Sequence, residues 1–157
     1  MFDPRNILVP TDFSAESDRA FLTALEIAGK GRARVFLLHV ISRMVQMCMS
    51  DYCIDQNVAD RVLNEGIVFS NEKLKETVAR FPESRSVKVI PDLRQGQPHE
   101  EILREADERK IDLIVISSHG RTGLKKYFIG SVAEKVMKEA RCPVLLIRNP
   151  DLFTEAS

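Results

Sequence analysis

Apolar residues in this chain fall into short unbroken runs, separated by stretches in which they recur every three or four positions. Residues 6–10 read Asn-Ile-Leu-Val-Pro, a run too short for a helix and closed by proline, which predicts a buried strand. Ser14 follows as a candidate N-cap, with Glu16 and Asp18 in the first turn, where negative charge suits the helix dipole. Ala20, Phe21, Ala24, Leu25 and Ala28 share one helical face, and Gly29 and Gly31 read as its end. Residues 34–41, Arg-Val-Phe-Leu-Leu-His-Val-Ile, predict a second buried strand.

Residues 42–55 have no clear period and hold Met44, Met47, Met49, Cys48 and Cys53. Beyond them Val58, Val62, Leu63, Ile67, Leu74, Val78 and Phe81 trace the inward face of a long helix stopped by Pro82. Residues 86–90 predict a third strand, 94–97 a loop, and Pro98 suits the first position of the next helix. Ile102, Leu103, Ala106 and Ile111 would be that helix's buried side, with Glu100–Arg104 and Glu105–Arg109 as i,i+4 pairs on its outside. A fourth strand spans 111–117. A helix over 131–140 would turn Val132, Val136 and Met137 inward before Cys142-Pro143 breaks it. Residues 144–147 predict a fifth strand, and 149–157 a tail.

Strands and helices thus alternate from end to end. The strands are continuously apolar, as strands covered on both faces are, so right-handed crossovers predict an open, doubly wound, parallel α/β sheet. No internal repeat or linker divides the chain, and residues 1–157 read as a single domain.

Composition narrows the function. Lys plus Arg and Asp plus Glu are both 23, a balance unlike the basic face of a nucleic-acid binder. No apolar run approaches the roughly 20 residues that span a bilayer, and residues 1–6 are too polar for a signal peptide. Three cysteines, an odd number, suit a reducing compartment, so the cytoplasm is expected. Cys48 and Cys53 lack zinc-ligand spacing.

Two segments sit where open α/β sheets bind ligands, beyond the carboxyl ends of strands. The first is Pro10-Thr11-Asp12, after strand one. The second begins Ser117-Ser118-His119-Gly120-Arg121-Thr122-Gly123, after strand four, and closes with Gly130-Ser131-Val132 at a helix start. Glycine permits positive φ and close approach of an anion, and the first amides of a helix have no internal acceptor. Arg121, Lys125 and Lys126 add positive charge. No G-x-x-x-x-G-K-[ST] pattern occurs. Local chemistry alone leaves two readings open: a phosphate cradle, or an ordinary loop with an N-capping serine.

The chain reads I-L-V-P-T-D-F-S at 7–14, L-L-H-V at 37–40, G-Q-P at 96–98, D-L-I-V at 112–115, S-H-G-R-T-G-L at 118–124, G-S-V-A-E-K-V at 130–136 and C-P-V-L-L-I-R at 142–148. In that order, over nearly the whole length, these resemble the universal stress protein family. The resemblance implies a five-stranded sheet of order 3-2-1-4-5. It also implies an ATP site in the members that carry G-x2-G-x9-G-[ST]. Here Gly120, Gly130 and Ser131 match, and Ser117 replaces the first glycine. Positive φ at Ser117 would cost on the order of 1 kcal/mol.

By the same resemblance, Thr11 and Asp12 lie on the ribose and adenine side, with Asp12 accepting from a ribose hydroxyl, the Val40 backbone meets the adenine edge, and Gly120, Gly130, Ser131 and Val132 hold the phosphates. Pro10, Ser117, Ser118, His119, Arg121 and Gly123, from the same two segments, complete the expected nucleotide-binding set, with Mg²⁺ held by the phosphates. His119 is read as ordering the loop, His39 as packed or facing a neighbouring loop, and His99 as solvated. The sequence forces no base and arginine into place for in-line hydrolysis, so a binding switch is expected rather than efficient catalysis. A slow ATPase or phosphotransferase and an ATP-independent dimeric scaffold are the alternatives. A homodimer through strand 144–148 is expected, because an exposed apolar edge invites pairing.

Overall fold

Five parallel strands form a sheet of order β3-β2-β1-β4-β5 in a computed structural model that describes residues 2–42, 55–120 and 128–150. In chain order the elements are β1 (Asn6–Pro10), α1 (Ala15–Gly31), β2 (Arg34–Ser42), α2 (Gln56–Arg80), a 3₁₀ turn (Pro82–Arg85), β3 (Lys88–Gly96), α3 (Pro98–Glu108), β4 (Leu113–Ser117), α4 (Ser131–Glu139) and β5 (Val144–Ile147). The doubly wound fold and its strand order are those expected. Residues 43–54, with Cys48 and Cys53, and the tail from 151 lie outside the described residues.

Alternate residues of the strands feed two cores. Ile7, Val9, Val35, Leu37, Leu113 and Val115 face Ala20, Phe21, Ala24, Leu25 and Ala28 of α1 and Leu74 of α2. Leu8, Phe36, Leu38, Ile114 and Ile116 face Ile102 of α3 and Ala133 and Val136 of α4. Both faces of β1, β2 and β4 are therefore largely dry, which is why those strands carry little polar alternation.

Helix α1 stops at Gly31, as expected, and its left-handed cap is the next residue, Arg32, whose φ is 57° and whose N–H donates to the Ala28 carbonyl. A left-handed conformation costs a non-glycine residue about 1–2 kcal/mol. Four expectations need correction. Val58 and Val62 are exposed, and the buried stripe of α2 is Ser70, Leu74 and Thr77. At 1.5 Å per residue, 25 residues make a helix of about 37 Å, longer than the strands beneath it, so only its C-terminal half lies on the core. Met137 is likewise exposed, and Ala133 takes its place beside Val136.

The third strand does not stop at Ile90. It runs to Gly96, through the residues read as a loop, and pairs with β2 in register Lys88↔Arg34 to Gly96↔Ser42. An edge strand needs only one partner, so it tolerates Pro91 and the polar Asp92 and Arg94. Those polar residues overturn the fourth expectation. Glu105 is not on the outside of α3; it is fully buried, and its carboxylate accepts from Arg94 Nε at 2.8 Å and Arg109 Nε at 3.1 Å. Arg104 pairs with Glu101 at 2.7 Å rather than with Glu100. The network clamps β3 to α3.

Candidate functional site

Strands β1 and β4 are neighbours, and the chain leaves them in opposite directions across the sheet. Between their carboxyl ends lies a crevice of about 350 Å³. Its lining includes Pro10, Thr11 and Asp12 from β1 and the turn after it, and Val40 from β2. It also includes Ser117, Ser118, His119 and Gly120 from β4 and its loop, and Gly130, Ser131 and Val132 at the start of α4. Eleven of the thirteen predicted site residues thus meet at one place. The other two, Arg121 and Gly123, lie outside the described residues, as do Lys125 and Lys126.

The β1 side is built by short hydrogen bonds. The Thr11 amide donates to the Leu38 carbonyl at 2.8 Å, continuing the parallel ladder past Pro10. The Thr11 hydroxyl meets that of Ser17 at 3.0 Å and accepts from the Phe13 amide at 3.0 Å. Asp12 Oδ1 accepts from the Ser14 amide at 3.0 Å and from the Ser14 hydroxyl. Ser14 in turn caps α1, as expected, accepting from the Ser17 amide at 3.2 Å. The start of α1 and the Asp12 carboxylate are one hydrogen-bonded unit.

The β4 side is tied to β5 and α4. The Ser118 amide donates to the Ile147 carbonyl at 2.8 Å, and the Gly130 amide to the Ser118 carbonyl at 2.7 Å. His119 is buried, with Nδ1 2.8 Å from the Ser118 hydroxyl; Nε2 has no hydrogen-bond partner among the described residues. His39 faces the neighbouring turn, its Nδ1 2.8 Å from the Thr11 carbonyl oxygen.

The glycines have a different use from the one expected. Among the described residues, positive φ falls on Phe13, Arg32, Lys110 and Gly96, not on Ser117, Gly120 or Gly130. Ser117 is the last residue of β4, paired with Ile147, so serine there carries none of the anticipated backbone strain. Gly120 is small because a Cβ on it would stand 2.6 Å from Asp12 Oδ2. Gly130 is small because a Cβ would meet the Ser118 carbonyl oxygen at 3.3 Å. These glycines bring the two walls of the crevice together.

Gly130, not Ser131, holds the N-cap position of α4, and no side chain caps it. The first-turn amides, lacking intrahelical acceptors, open at the crevice with the positive end of the helix dipole. A serine-capped loop would have filled them. The N-terminus of α3 also lacks a side-chain cap, and Pro98 and Ile102 reach the same crevice. The site therefore has one apolar wall, Val40, Ile102 and Ile116, and one polar end at Ser117–Gly120 and α4. Sequence reading missed Ser17, Leu38, His39, Pro98, Ile102, Ile116 and Ala133 as lining residues. Parallel register pairs Leu38 with Pro10 and so brings the end of β2 to the crevice, but nothing local marks a core residue of α3 as a crevice wall. Among the described residues, no group of three or more His, Cys, Asp or Glu side chains is arranged to hold a metal ion, and no helix is long and apolar enough to cross a membrane.

Comparison with known proteins follows the same lines. The model of the universal stress protein family matches residues 4–148. Universal stress protein MJ0531 of Methanocaldococcus jannaschii is 34% identical over 146 residues, covering 93% of this chain and 83% of that protein. The solved structure of MJ0577 from the same organism superposes with a TM-score of 0.80 at 29% identity, covering 94% of this chain and 98% of that one. The universal stress protein from Archaeoglobus fulgidus solved in complex with dAMP shares the fold, with a TM-score of 0.64 at 23% identity over 93% of this chain and 99% of its own.

Proposed function

This chain belongs to the universal stress protein family, and from that premise we propose that it is an ATP-binding stress-response module, a nucleotide-dependent switch without efficient catalysis. The observation that carries the reading is the uncapped N-terminus of α4 opening on the crevice between β1 and β4. Phosphate oxygens satisfy such amides, and the dipole favours their charge. The apolar wall of Val40, Ile102 and Ile116 suits a purine, and Asp12 suits a ribose hydroxyl. Mg²⁺ would ride on the phosphates, since no cluster of protein ligands offers itself among the described residues. Arg121 and Gly123 are assigned to the phosphate end on their place in the sequence between Gly120 and Gly130 and on the charge of Arg121.

Calorimetry tests the reading. Nucleotide-stripped protein titrated with ATP is expected to give saturable, exothermic binding near one site per chain, with no phosphate release above buffer. Steady release abolished by Asp12→Ala would make the chain an enzyme. No heat in the native chain, appearing in Ser117→Gly, would favour the ATP-independent scaffold, because Ser117 lines the crevice where the motif has glycine. No heat in either removes the nucleotide reading.

We also assign the chain to the cytoplasm, on its cysteine content, and to a homodimer through β5. The sheet has two edges. The β3 edge contains Pro91, which has no amide to donate, whereas β5 carries no proline and exposes Leu145. Antiparallel pairing across a twofold axis would set equivalent residues close together. Sedimentation at micromolar concentration is expected to give a dimer, and Leu145→Lys, which places like charges at the axis, a monomer of unchanged circular dichroism. A monomeric native chain would refute the assignment.

A further inference from the structure

Phe13 has a φ of 63°. Bulky L-residues adopt that conformation rarely, and where they do, the surroundings force it. Phe13 lies between Asp12, in the crevice, and Ser14, the cap of α1. Its ring points the other way: it packs against the core beneath α1 and α2 and lines a second cavity with Phe69, Lys73, Thr77 and Arg80 of α2.

Several contacts hold the turn. The Phe13 amide donates to Thr11 Oγ1 at 3.0 Å. Its ring lies 4.3 Å from that of His39, at an interplanar angle of 32°. His39 Nδ1 is 2.8 Å from the Thr11 carbonyl oxygen. The outcome of the reversal is on the next residues: Ser14 folds back so that its amide and hydroxyl both donate to Asp12 Oδ1, leaving Oδ2 on the side of Gly120.

We propose that the left-handed backbone at Phe13 is a positioning device for the nucleotide site, aiming the Asp12 carboxylate at the ribose and so setting the preference for ribonucleotides over deoxynucleotides. This rests on the nucleotide reading above. Phe13 touches no ligand; it acts through Asp12. What matters at position 13 is then access to positive φ rather than apolar bulk. Asn and Gly reach that region readily, whereas β-branched Val resists it.

The test measures binding of ATP, 2′-deoxy-ATP and 3′-deoxy-ATP to the native full chain and to Phe13→Asn, Phe13→Gly and Phe13→Val. The native chain is expected to favour ATP over at least one deoxy analogue by about tenfold, the effect of one hydrogen bond to a charged group. Phe13→Asn and Phe13→Gly keep most of that ratio even where overall affinity drops, and Phe13→Val brings it close to one. A role in packing alone predicts the reverse order, with Val the best substitute. If Phe13→Val does not fold, Phe13→Ala takes its place and falls between the native chain and unity. A native chain that binds ATP but whose ratio is the same in every variant overturns the role of Phe13 and leaves the site standing. A native chain that binds none of the three removes the site itself.

Discussion

Gly120→Ala is expected to weaken ATP binding by about tenfold or more while the protein stays folded. The added methyl would stand 2.6 Å from Asp12 Oδ2, well inside contact distance. Asp12 has a short side chain, and Oδ1 is already engaged by both donors of Ser14. It cannot give way by a few tenths of an ångström; the carboxylate must turn or the loop must lift. Either movement separates the ribose side from the phosphate side, and tenfold corresponds to about 1.4 kcal/mol. Calorimetry with ATP measures the loss, and thermal melting confirms the fold. Gly66→Ala is the control, because its Cβ would meet nothing within 4 Å. Equal ATP affinities in native and Gly120→Ala chains would show that the approach of the two walls is irrelevant to the ligand.

Glu105→Ala is expected to be the most destabilising single change outside the apolar cores. Burial, and then the neighbouring Asp92, push the Glu105 carboxyl above its ordinary pKa, while Arg109 and Arg94 pull against them. Burial also opposes ionisation of Asp92, but hydrogen bonds from Arg109 and Glu105 outweigh it and hold Asp92 below its usual value. Removing Glu105 strips the central acceptor from Arg94, whose side chain is only 19% exposed, and from Arg109. Breaking such a buried ion network from one side costs about 3–5 kcal/mol. At roughly 2–4 °C per kcal/mol for a chain of this size, the melting temperature should fall by roughly 10 °C. A fall of less than about 2 °C would mean that the network holds nothing that burial of α3 does not already hold. Because Ile102 of the same helix walls the crevice, ATP affinity should decline along with stability.

The parts of the fold legible in the sequence are those whose cause is local. The bounds of β1 follow from an apolar run closed by Pro10, and those of β5 from a run opened after Pro143. Ser14 is a cap because its own hydroxyl does the capping. Where the cause lies elsewhere in the chain, local reading failed. The end of β3 looks like a loop because Asp92 and Arg94 are polar, yet their partners are on α3 and at its C-cap, 7 to 17 residues away. Glu105 looks solvated because glutamate usually is, and only Arg94 and Arg109 make its burial tolerable. Val58 looks buried because its period is right, but the sheet ends before the helix does.

The site divides in the same way. Its members came from motifs at strand ends, which the parallel topology brings together whatever the loops do. The reason for its glycines did not. Positive φ is a property of one residue and can be guessed from one residue. The approach of Gly120 to Asp12 is a property of two residues 108 positions apart, and it turns the concern over Ser117 from backbone strain into side-chain volume.

Pro91 has a consequence for assembly size. In the proposed edge pairing, each chain offers β5 and withholds β3, and so has a valence of one. Units of valence one close after a single association event, whereas units with two open edges add successive copies without limit. The proline in β3 would therefore act as a terminator of sheet growth, letting the apolar β5 edge pair once without seeding a fibre.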